Sequence, residues 1–462
     1  MADEEEKAML ASQNVLNSIL DSLGWGKFQW IVLLIVGLAI MSDGAEVTVL
    51  SILTTTLEEE WHLDAFKMAL LTGIIFVGQM LGNLVVGIWG DDYGRVTLLK
   101  IASVVILVFG LLSAAMPEFW SFTIMRGLTG FGMGFIGAVS TAYSSECTPL
   151  DQRGLSLIIS SGFFNLGQIY VALLALALLP DMDPTYWRLL LVLTAVPCIF
   201  YIAIVFYYPI ESPYFLAIHE RHEESIASLN QMAVVNNKPT LTDEEKHLLS
   251  TVPFKSESVG LNKINLLFDE DKRLSTIILM FLWLMAVFTY YGMLFIVPKT
   301  IGNEDGNFMI LCILVIGVVQ TPSQFIAVYT MEMEHIGRKH TISLSILGQT
   351  LCVFASLFLI GTPYFLIPIA FYFIFCNIWF SVIYIYTAEL YETRIRAMAL
   401  CFLNVFARIG GIIGPGLLFA LHDGSGESSP YICILAASVA TFAVCLLLPY
   451  DTRQKGLDTK NK

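Results

Sequence analysis

Long apolar runs separated by short polar breaks cover almost the whole chain. A helix needs about 20 consecutive apolar residues to cross the hydrocarbon core of a bilayer, and twelve runs reach that length. They cover residues 30–53, 68–90, 97–116, 119–143, 155–179, 187–208, 274–298, 307–330, 341–361, 364–388, 397–421 and 430–449. The pattern predicts an all-α polytopic membrane protein with twelve transmembrane helices.

The distribution of Lys and Arg predicts the orientation of these helices. Twenty of the 25 basic residues lie on the side of the N-terminus, whereas the other side holds Lys67, Arg188 and Lys299. Because cytoplasmic loops carry the excess of Lys and Arg, we expect both termini to be cytoplasmic. The acidic start of the chain fits neither a signal peptide nor a mitochondrial presequence. The plasma membrane and an intracellular vesicle or organelle membrane both remain open.

The longest polar stretch divides the twelve runs into two groups of six. We interpret it as a solvated linker and not as a separate domain. The predicted divisions are a cytoplasmic N-terminal segment (1–29), a first bundle (30–208), a cytoplasmic linker (209–273), a second bundle (274–449) and a cytoplasmic tail (450–462).

The composition excludes several classes of function. The 462 residues are 56% hydrophobic and 14% charged, whereas soluble domains usually carry about 25% charged residues. The net charge of −14 argues against a nucleic-acid partner, because phosphate binding needs a basic face. The eight cysteines form no CxxC pair and the seven histidines have no metal-ligand spacing. We therefore expect no metal, no cofactor, no catalytic residues and no enzyme.

The two halves of the sequence repeat at a nearly constant offset. Gly94-Arg95 recurs as Gly337-Arg338, Glu146 as Glu389 and Arg153 as Arg396, each 243 residues later. Parallel repeats of six spans predict two pseudo-symmetric six-helix bundles with a substrate site between them at mid-bilayer depth. Such a build predicts alternating access, in which one half rocks against the other.

Three loops carry a resemblance to a known family. Gly87-Ile-Trp-Gly-Asp91-Asp-Tyr-Gly94-Arg95 is similar to the loop G-x-x-x-D-R-x-G-R of major facilitator transporters. Glu146-Cys-Thr-Pro149-Leu-Asp-Gln-Arg153-Gly154 and Glu211-Ser-Pro213-Tyr-Phe-Leu216 resemble two sugar-porter motifs. The stretches at 20–30, 41–46, 290–292 and 407–415 resemble the synaptic-vesicle-two-related branch, which lies close to the organic cation and anion transporters. The resemblance implies the major facilitator fold and a transport function.

The chain also departs from these patterns. Asp92 replaces the usual Arg of the first motif, and Tyr214 replaces the Arg that commonly follows Glu-Ser-Pro. The link between the seventh and eighth spans is short, so the large luminal domain of the synaptic vesicle proteins is missing. These departures leave the substrate open.

The charged loop residues predict an ion-pair cluster on the cytoplasmic side of each half. We expect Asp91 to cap a helix N-terminus in the facing half, where an anion is favoured. One interpretation is a latch that breaks on inward opening, because exposed pairs contribute only about 0–1 kcal/mol each. The alternative is a set of topology anchors without a gating role. The candidate residues are Asp91, Arg95, Glu146, Arg153, Glu211, Glu334, Arg338, Glu389, Arg396 and Asp451.

Four charged residues lie inside predicted spans, where charge is costly and usually functional. Asp43 and Glu46 are three residues apart on the first span and share a face. Arg126 lies in the fourth span and Arg408 in the eleventh. None of the four has a charged counterpart at the 243-residue offset. The scaffold repeats but these charges do not, which favours a role with a ligand or a proton.

The two acids have more than one interpretation. If Asp43 and Glu46 face a central cavity with Arg126 near one of them, they form a coupled pair able to carry a proton or bind a cation. The alternatives are a buried structural ion pair with Arg126, or an Asp43 that caps a helix break. Aromatic and amide side chains extend the candidate site. They are Gln79, Asn83, Gln168, Trp283, Tyr290, Tyr291, Asn377 and Tyr384.

The sequence favours a secondary active transporter of a small organic solute, with proton coupling left open. Paired acids and aromatic rings favour an organic cation or zwitterion. Arg126 and Arg408 keep an organic anion, such as a nicotinate-like carboxylate, as the next candidate, and a sugar is third. The alternative is a non-transporting membrane subunit or receptor that retains the fold. The expected partners are the bilayer, the solute and protons, with a monomer expected outside any larger membrane assembly.

Overall fold

A computed structural model describes residues 14–58, 60–251, 261–270, 272–302, 306–333, 336–391 and 393–451. Within these ranges there is no strand, and twelve helical segments are long and apolar enough to cross a membrane. In chain order they are Lys27–Thr56, Ala65–Gly87, Arg95–Ala114, Phe119–Cys147, Leu150–Leu178, Pro184–Tyr207, Arg273–Ile301, Gly306–Met331, Gly337–Leu357, Leu366–Leu390, Met398–Ser425 and Ser429–Leu446, and they are named the first to twelfth spans. The prediction of twelve transmembrane helices is confirmed.

The helices begin or end outside the predicted runs where their first or last turn is polar. The ninth span begins at Gly337 and not at residue 341, because Arg338, Lys339 and His340 form its first turn. The second helix extends to Tyr93, and the eleventh begins at Thr393. A count of apolar residues omits such turns, although their backbone is helical.

Proline breaks two of the spans. The sixth consists of Trp187–Thr194 and Val196–Tyr207, with Pro197 just after the break. The eighth consists of Gly306–Gln320 and Ser323–Glu332, with Pro322 between them. Proline lacks the backbone N–H that a continuous helix needs, so both breaks follow from the sequence.

The pseudo-symmetry of the two bundles extends to their backbone packing. Gly167 on the fifth span lies so close to the first that an added Cβ would collide with the carbonyl oxygen of Met41. Gly410 on the eleventh span stands in the same relation to the carbonyl of Leu284 on the seventh. The two positions of this contact are repeated at the 243-residue offset, with Leu284 in place of Met41. A small residue at each crossing lets the backbones approach closely.

The stretch predicted as a linker has both exposed and buried residues. It contains the short helices Pro213–Ile218, His222–Val235 and Asp243–Thr251. The side chains of Leu229 and Met232 are fully buried. This region also contacts the first span, because the backbone N–H of Phe28 donates a 2.8 Å hydrogen bond to Oδ1 of Asn236.

The two bundles meet mainly at one end. The face on which the described chain begins and ends is called here the terminal face, and the other is the opposite face. Ser51 on the first span donates a hydrogen bond to the carbonyl of Leu294 on the seventh, at 2.8 Å. Gly416 on the eleventh span packs against Ala69 on the second. Both contacts lie toward the opposite face, so the bundles are joined there.

Candidate functional site

A buried ion pair joins the first and fourth spans. Nη2 of Arg126 donates to Oε2 of Glu46, and both residues are almost completely buried. The Arg126 guanidinium lies 5.9 Å from the ring centre of Phe122. Its Nε and Nη1 atoms are buried and have no hydrogen-bond partner among the described residues. This pair belongs entirely to the first bundle.

Asp43 has a different environment, although it is only one turn away. Its Oδ1 accepts a hydrogen bond of 3.0 Å from Nε2 of the buried Gln79. Asp43 is partly exposed, whereas Glu46 is 3% exposed. The two carboxylates therefore do not share one partner: Glu46 pairs with a cation and Asp43 with a neutral amide.

A cation of the second bundle faces Asp43. Arg408 on the eleventh span is close enough to act electrostatically on the Asp43 carboxylate and interacts with the hydroxyl of Tyr291. Its Nε is buried and has no hydrogen-bond partner in the described part of the chain. The Tyr291 ring packs against Phe76 of the first bundle at a centroid distance of 4.7 Å. The Asp43 carboxylate and the Arg408 guanidinium thus face each other across the junction of the two halves.

Four polar residues keep exposed surface deep inside their spans, and we infer from this an opening between the bundles. Asp43, Tyr384, Asn404 and Arg408 lie well inside their spans, yet each is partly exposed. Asn404 donates to the Tyr384 hydroxyl at 3.3 Å, and both Asp43 and Arg408 act electrostatically on Tyr384. Because these groups face one another, their exposed surface is directed between the bundles and not toward lipid.

A second polar network joins the two bundles next to this opening. The Tyr290 hydroxyl accepts a 3.3 Å hydrogen bond from Nε2 of Gln168 and donates a 3.0 Å bond to Oε1 of Gln320. Gln168 belongs to the first bundle, and the other two belong to the second. Sequence reasoning selected Gln168 and Tyr290 but omitted Gln320. Its signal was an amide in the apolar run 307–330, directly before the break at Pro322.

Two of the three remaining candidates have their described partners inside the second bundle, and the third is Asn83. Trp283 is fully buried, and its Nε1 donates to Thr387 at 3.1 Å, so it packs inside the second bundle. Asn377 accepts a 2.8 Å hydrogen bond from Gln324 in the same bundle. Asn83 lies on the second span, and its Nδ2 is buried with no partner in the residues described.

The terminal face carries the predicted charge clusters. Arg95 pairs with Glu146 at 3.1 Å in the first half, and Arg338 pairs with Glu389 at 3.1 Å in the second. Each of these described contacts joins residues of one half. The two pairs are the same contact repeated at the 243-residue offset, and a latch between the halves stays a prediction.

Glu211 and Asp451 cap two helix N-termini at this face. Glu211 accepts hydrogen bonds from the backbone N–H groups of Arg95 and Val96, at 2.9 and 3.1 Å. Asp451 accepts from the N–H of Lys339 at 2.9 Å. Burial raises the pKa of the Glu211 carboxyl, and these N–H groups act in the opposite direction. The unpaired N–H groups and the helix dipole attract a carboxylate, which offsets part of the effect of burial on this pKa.

Arg153 corrects the predicted cluster. Its Nη2 donates to Oδ1 of Asn17 at 2.7 Å and its Nε donates to the carbonyl of Thr148, so these partners are neutral. The Tyr214 hydroxyl donates to the same Asn17 oxygen at 2.7 Å. The family departure at Tyr214 therefore has a local role, which is to hold the N-terminal segment. Glu334 and the side chains of Asp91 and Arg396 lie outside the described residues.

Comparisons with known proteins agree with this architecture. A family model described as "Sugar (and other) transporter" matches residues 28–461. The synaptic vesicle 2-related protein of Xenopus laevis is 29% identical over 467 residues, which is 96% of this chain and 82% of that protein. Organic cation/carnitine transporter 7 of Arabidopsis thaliana is 27% identical over 96% of this chain and 95% of its own length.

A solved structure matches the fold at low identity. The inward open conformation of the xylose transporter XylE from E. coli has a TM-score of 0.77. The match covers 93% of this chain and 98% of that chain, at 18% identity. It therefore supports the arrangement of the helices and carries nothing about the ligand.

Proposed function

The chain belongs to the family of sugar and other transporters of the major facilitator superfamily, and from this premise we propose that it is a secondary active transporter of a small organic solute. The observation that carries the proposal is the opposition of Asp43 and Arg408 across an opening between the two bundles. A solute bound between these groups touches both halves. Its binding can therefore favour one relative position of the halves over another, which is the requirement for alternating access.

The direction of the opening supports an inward-facing state. The bundles are joined toward the opposite face by the hydrogen bond from Ser51 to Leu294 and by the packing of Gly416 against Ala69. We take the terminal face as cytoplasmic because of its excess of Lys and Arg. On that basis the solute site opens to the cytoplasm in this conformation.

The charges around the opening favour a zwitterion or an organic cation. Asp43 provides an anion, and the rings of Tyr291 and Tyr384 provide surfaces that attract a cation. Arg408 provides a guanidinium nitrogen that lacks a hydrogen-bond partner within the described residues, which suits a carboxylate. The name of the Arabidopsis relative includes an organic cation, and this supports the same class. An organic anion is the next candidate, and a sugar is third.

Proton coupling is part of the proposal through Asp43. A proton on this carboxyl removes the negative charge opposite Arg408 and changes the electrostatic balance between the halves. Glu46 is the less suitable carrier, because it is buried and its charge is balanced by Arg126. We therefore assign the proton and the cationic solute group to Asp43, and a structural ion pair to Glu46 and Arg126.

The test uses the purified full-length protein in two steps. Thermal stability is first measured with glycine betaine, tetraethylammonium, nicotinate and xylose, which represent a zwitterion, a cation, an anion and a sugar. Any solute that stabilises the protein is then followed into proteoliposomes with and without a pH gradient. We expect a cationic or zwitterionic solute to stabilise the protein and to be taken up into the proteoliposomes. Both effects should be lost in Asp43→Asn.

The matched control is Asp92→Asn, because Asp92 is an exposed acid at the terminal end of the second helix. It is expected to retain uptake. Ligand stabilisation without uptake above that of empty liposomes supports the alternative, a receptor or subunit that retains the fold. Uptake that is unchanged in Asp43→Asn overturns the assignment of this residue.

A further inference from the structure

One lysine joins the two bundles near the opposite face. Nζ of Lys299, at the end of the seventh span, lies 3.1 Å from Oε1 of Glu58 and 3.0 Å from Oδ1 of Asp423. Glu58 follows the first span, and Asp423 lies near the end of the eleventh. A single ammonium group therefore holds carboxylates from both halves of the molecule.

The side chain of Lys299 is largely shielded from solvent, whereas those of its two carboxylate partners are partly exposed. The residue is 7% exposed, and its Nζ lies 5.9 Å from the ring centre of Phe419. The side chains of Glu58 and Asp423 are 34% and 38% exposed. A partly desolvated cation binds its carboxylates more firmly than a fully exposed one, while the exposed carboxylates keep the interaction reversible.

The other two basic residues on this side make different contacts. Nζ of Lys67 donates to the carbonyl of His62 at 3.0 Å. Arg188 donates to the carbonyl of Met116 at 3.4 Å. Both contacts stay inside the first bundle. Of these three residues, Lys299 is therefore the one with a described ion pair between the halves, which is its pair with Glu58.

The position of Lys299 fits the closed end of the junction. It lies beyond Leu294 on the same helix, farther from the central opening than the hydrogen bond from Ser51. Any motion that opens the opposite face must separate the first and seventh spans here. Such a motion must also break the contact between Lys299 and Glu58.

We propose that Lys299 is an ionic strap: its ammonium group bridges Glu58 and Asp423 to hold the opposite face closed in this conformation, and the bridge to Glu58 is released when that face opens. The proposal rests on the alternating access of the proposed function. Its subject, however, is the equilibrium between closed and open states and not the identity of the solute.

The experiment measures the distance between the two bundles at the opposite face. Spin labels are placed at Glu118 of the first half and Thr362 of the second, both exposed residues of loops on this face. Non-cysteine labelling chemistry is used because the chain has eight cysteines. Distance distributions are recorded by pulsed electron resonance on the full-length protein in liposomes, without solute and at one fixed pH, because His422 lies 3.2 Å from Asp423.

In Lys299→Gln, we expect the population with the longer distance to increase about three- to tenfold relative to the shorter one. Lys299→Arg is expected to keep the original distribution. Lys67→Gln is the matched control, because it removes the same charge from the same face without touching a contact between the halves. The triple variant Glu58→Lys, Lys299→Glu and Asp423→Asn is expected to restore the short distance, because it reverses the pair between the halves without placing two carboxylates side by side.

A distribution that is identical in the original protein and in Lys299→Gln overturns the strap. If Lys299→Gln fails to fold, Glu58→Gln removes the one ion pair that crosses between the halves and must shift the distances in the same direction. No shift in Glu58→Gln also overturns the strap. Because no solute is present, failure of the transport assay leaves this measurement valid, and failure of the strap leaves the transport assay valid.

Discussion

Ser51 donates a hydrogen bond to the carbonyl of Leu294, and these two residues are 243 positions apart, the same offset that relates the repeated sequence motifs. A contact between residues at equivalent positions of two repeats must lie close to the pseudo-symmetry axis that relates them. The first and seventh spans therefore meet on this axis. Asp43 and Tyr291, which flank the opening, lie on these same two helices.

Arg126 gives the first prediction, which concerns the stability of the buried ion pair. Glu46→Gln leaves the buried Arg126 guanidinium without its anion, in a residue that already has two unpartnered nitrogens in the described part of the chain. We expect a loss of about 3–5 kcal/mol in the free energy of unfolding, because an uncompensated buried charge is costly. Denaturant unfolding in detergent measures it.

The control for this prediction is the double variant Glu46→Gln with Arg126→Gln. It should be more stable than the sum of the two single losses, because neither charge remains alone. Asp43→Asn should change stability much less, since Asp43 has a neutral partner and is partly exposed. Equal losses in Glu46→Gln and Asp43→Asn would contradict the assignment of different roles to the two acids.

The close crossing of the first and fifth spans gives the second prediction. Gly167→Ala places a methyl group against the backbone carbonyl of Met41, and the backbone cannot move aside as a flexible side chain can. We expect a loss of about 1–3 kcal/mol. Gly162→Ala on the same helix is the matched control, because nothing lies within 4 Å of its added Cβ. It should be neutral or stabilising, so a loss as large as that of Gly167→Ala would refute the packing argument.

The fold was largely predictable, because its signals are long and repeated. Twelve apolar runs are sufficient to predict twelve helices, and the offset of Glu146 and Glu389 is sufficient to predict two related bundles. The errors occurred at helix ends, where polar residues such as Arg338 continue a helix that hydropathy does not detect.

The partners of individual side chains were much less predictable. Sequence reasoning placed Arg126 near one of the two acids but could not select Glu46, because both acids lie on one helix face. The motif predicts Arg153 as a member of an ion-pair cluster, yet Asn17 is its partner. Asn17 lies 136 residues away in the sequence, and a single chain gives no signal for such a neutral contact. The amide of Gln320 stands out in an apolar run, but the sequence does not show that it meets Tyr290.

Glu211 gives a prediction for the pH dependence of stability. Burial raises the pKa of its carboxyl in the folded protein, so the folded state binds this proton more tightly than the unfolded state. The contribution of this group to stability is therefore greatest at low pH, below the pKa of an unfolded glutamate. It decreases as the pH rises through the raised value.

The measurement for Glu211 is a difference between two proteins. Glu211→Gln does not titrate, while its amide oxygen can still accept the backbone hydrogen bonds of Arg95 and Val96. The melting temperature of the original protein minus that of the variant should decrease as the pH rises from acidic values toward neutral. A difference that increases with pH would show that the N–H groups outweigh burial and that the pKa is lowered.

Asn17 gives the last prediction, which concerns the N-terminal segment. Its Oδ1 accepts hydrogen bonds from both Arg153 and Tyr214, and the neighbouring Leu16 and Leu20 are fully buried. Asn17→Ala removes both bonds and leaves a partly buried guanidinium and hydroxyl with fewer partners. We expect hydrogen exchange in residues 14–23 to accelerate several-fold, while exchange in the transmembrane spans is unchanged.

Tyr214→Phe is the control for this prediction, because it removes one of the two bonds and should produce a smaller acceleration. Adding it to Asn17→Ala should have almost no further effect. Additive effects of the two substitutions would mean that Tyr214 acts on this segment by a route other than Asn17.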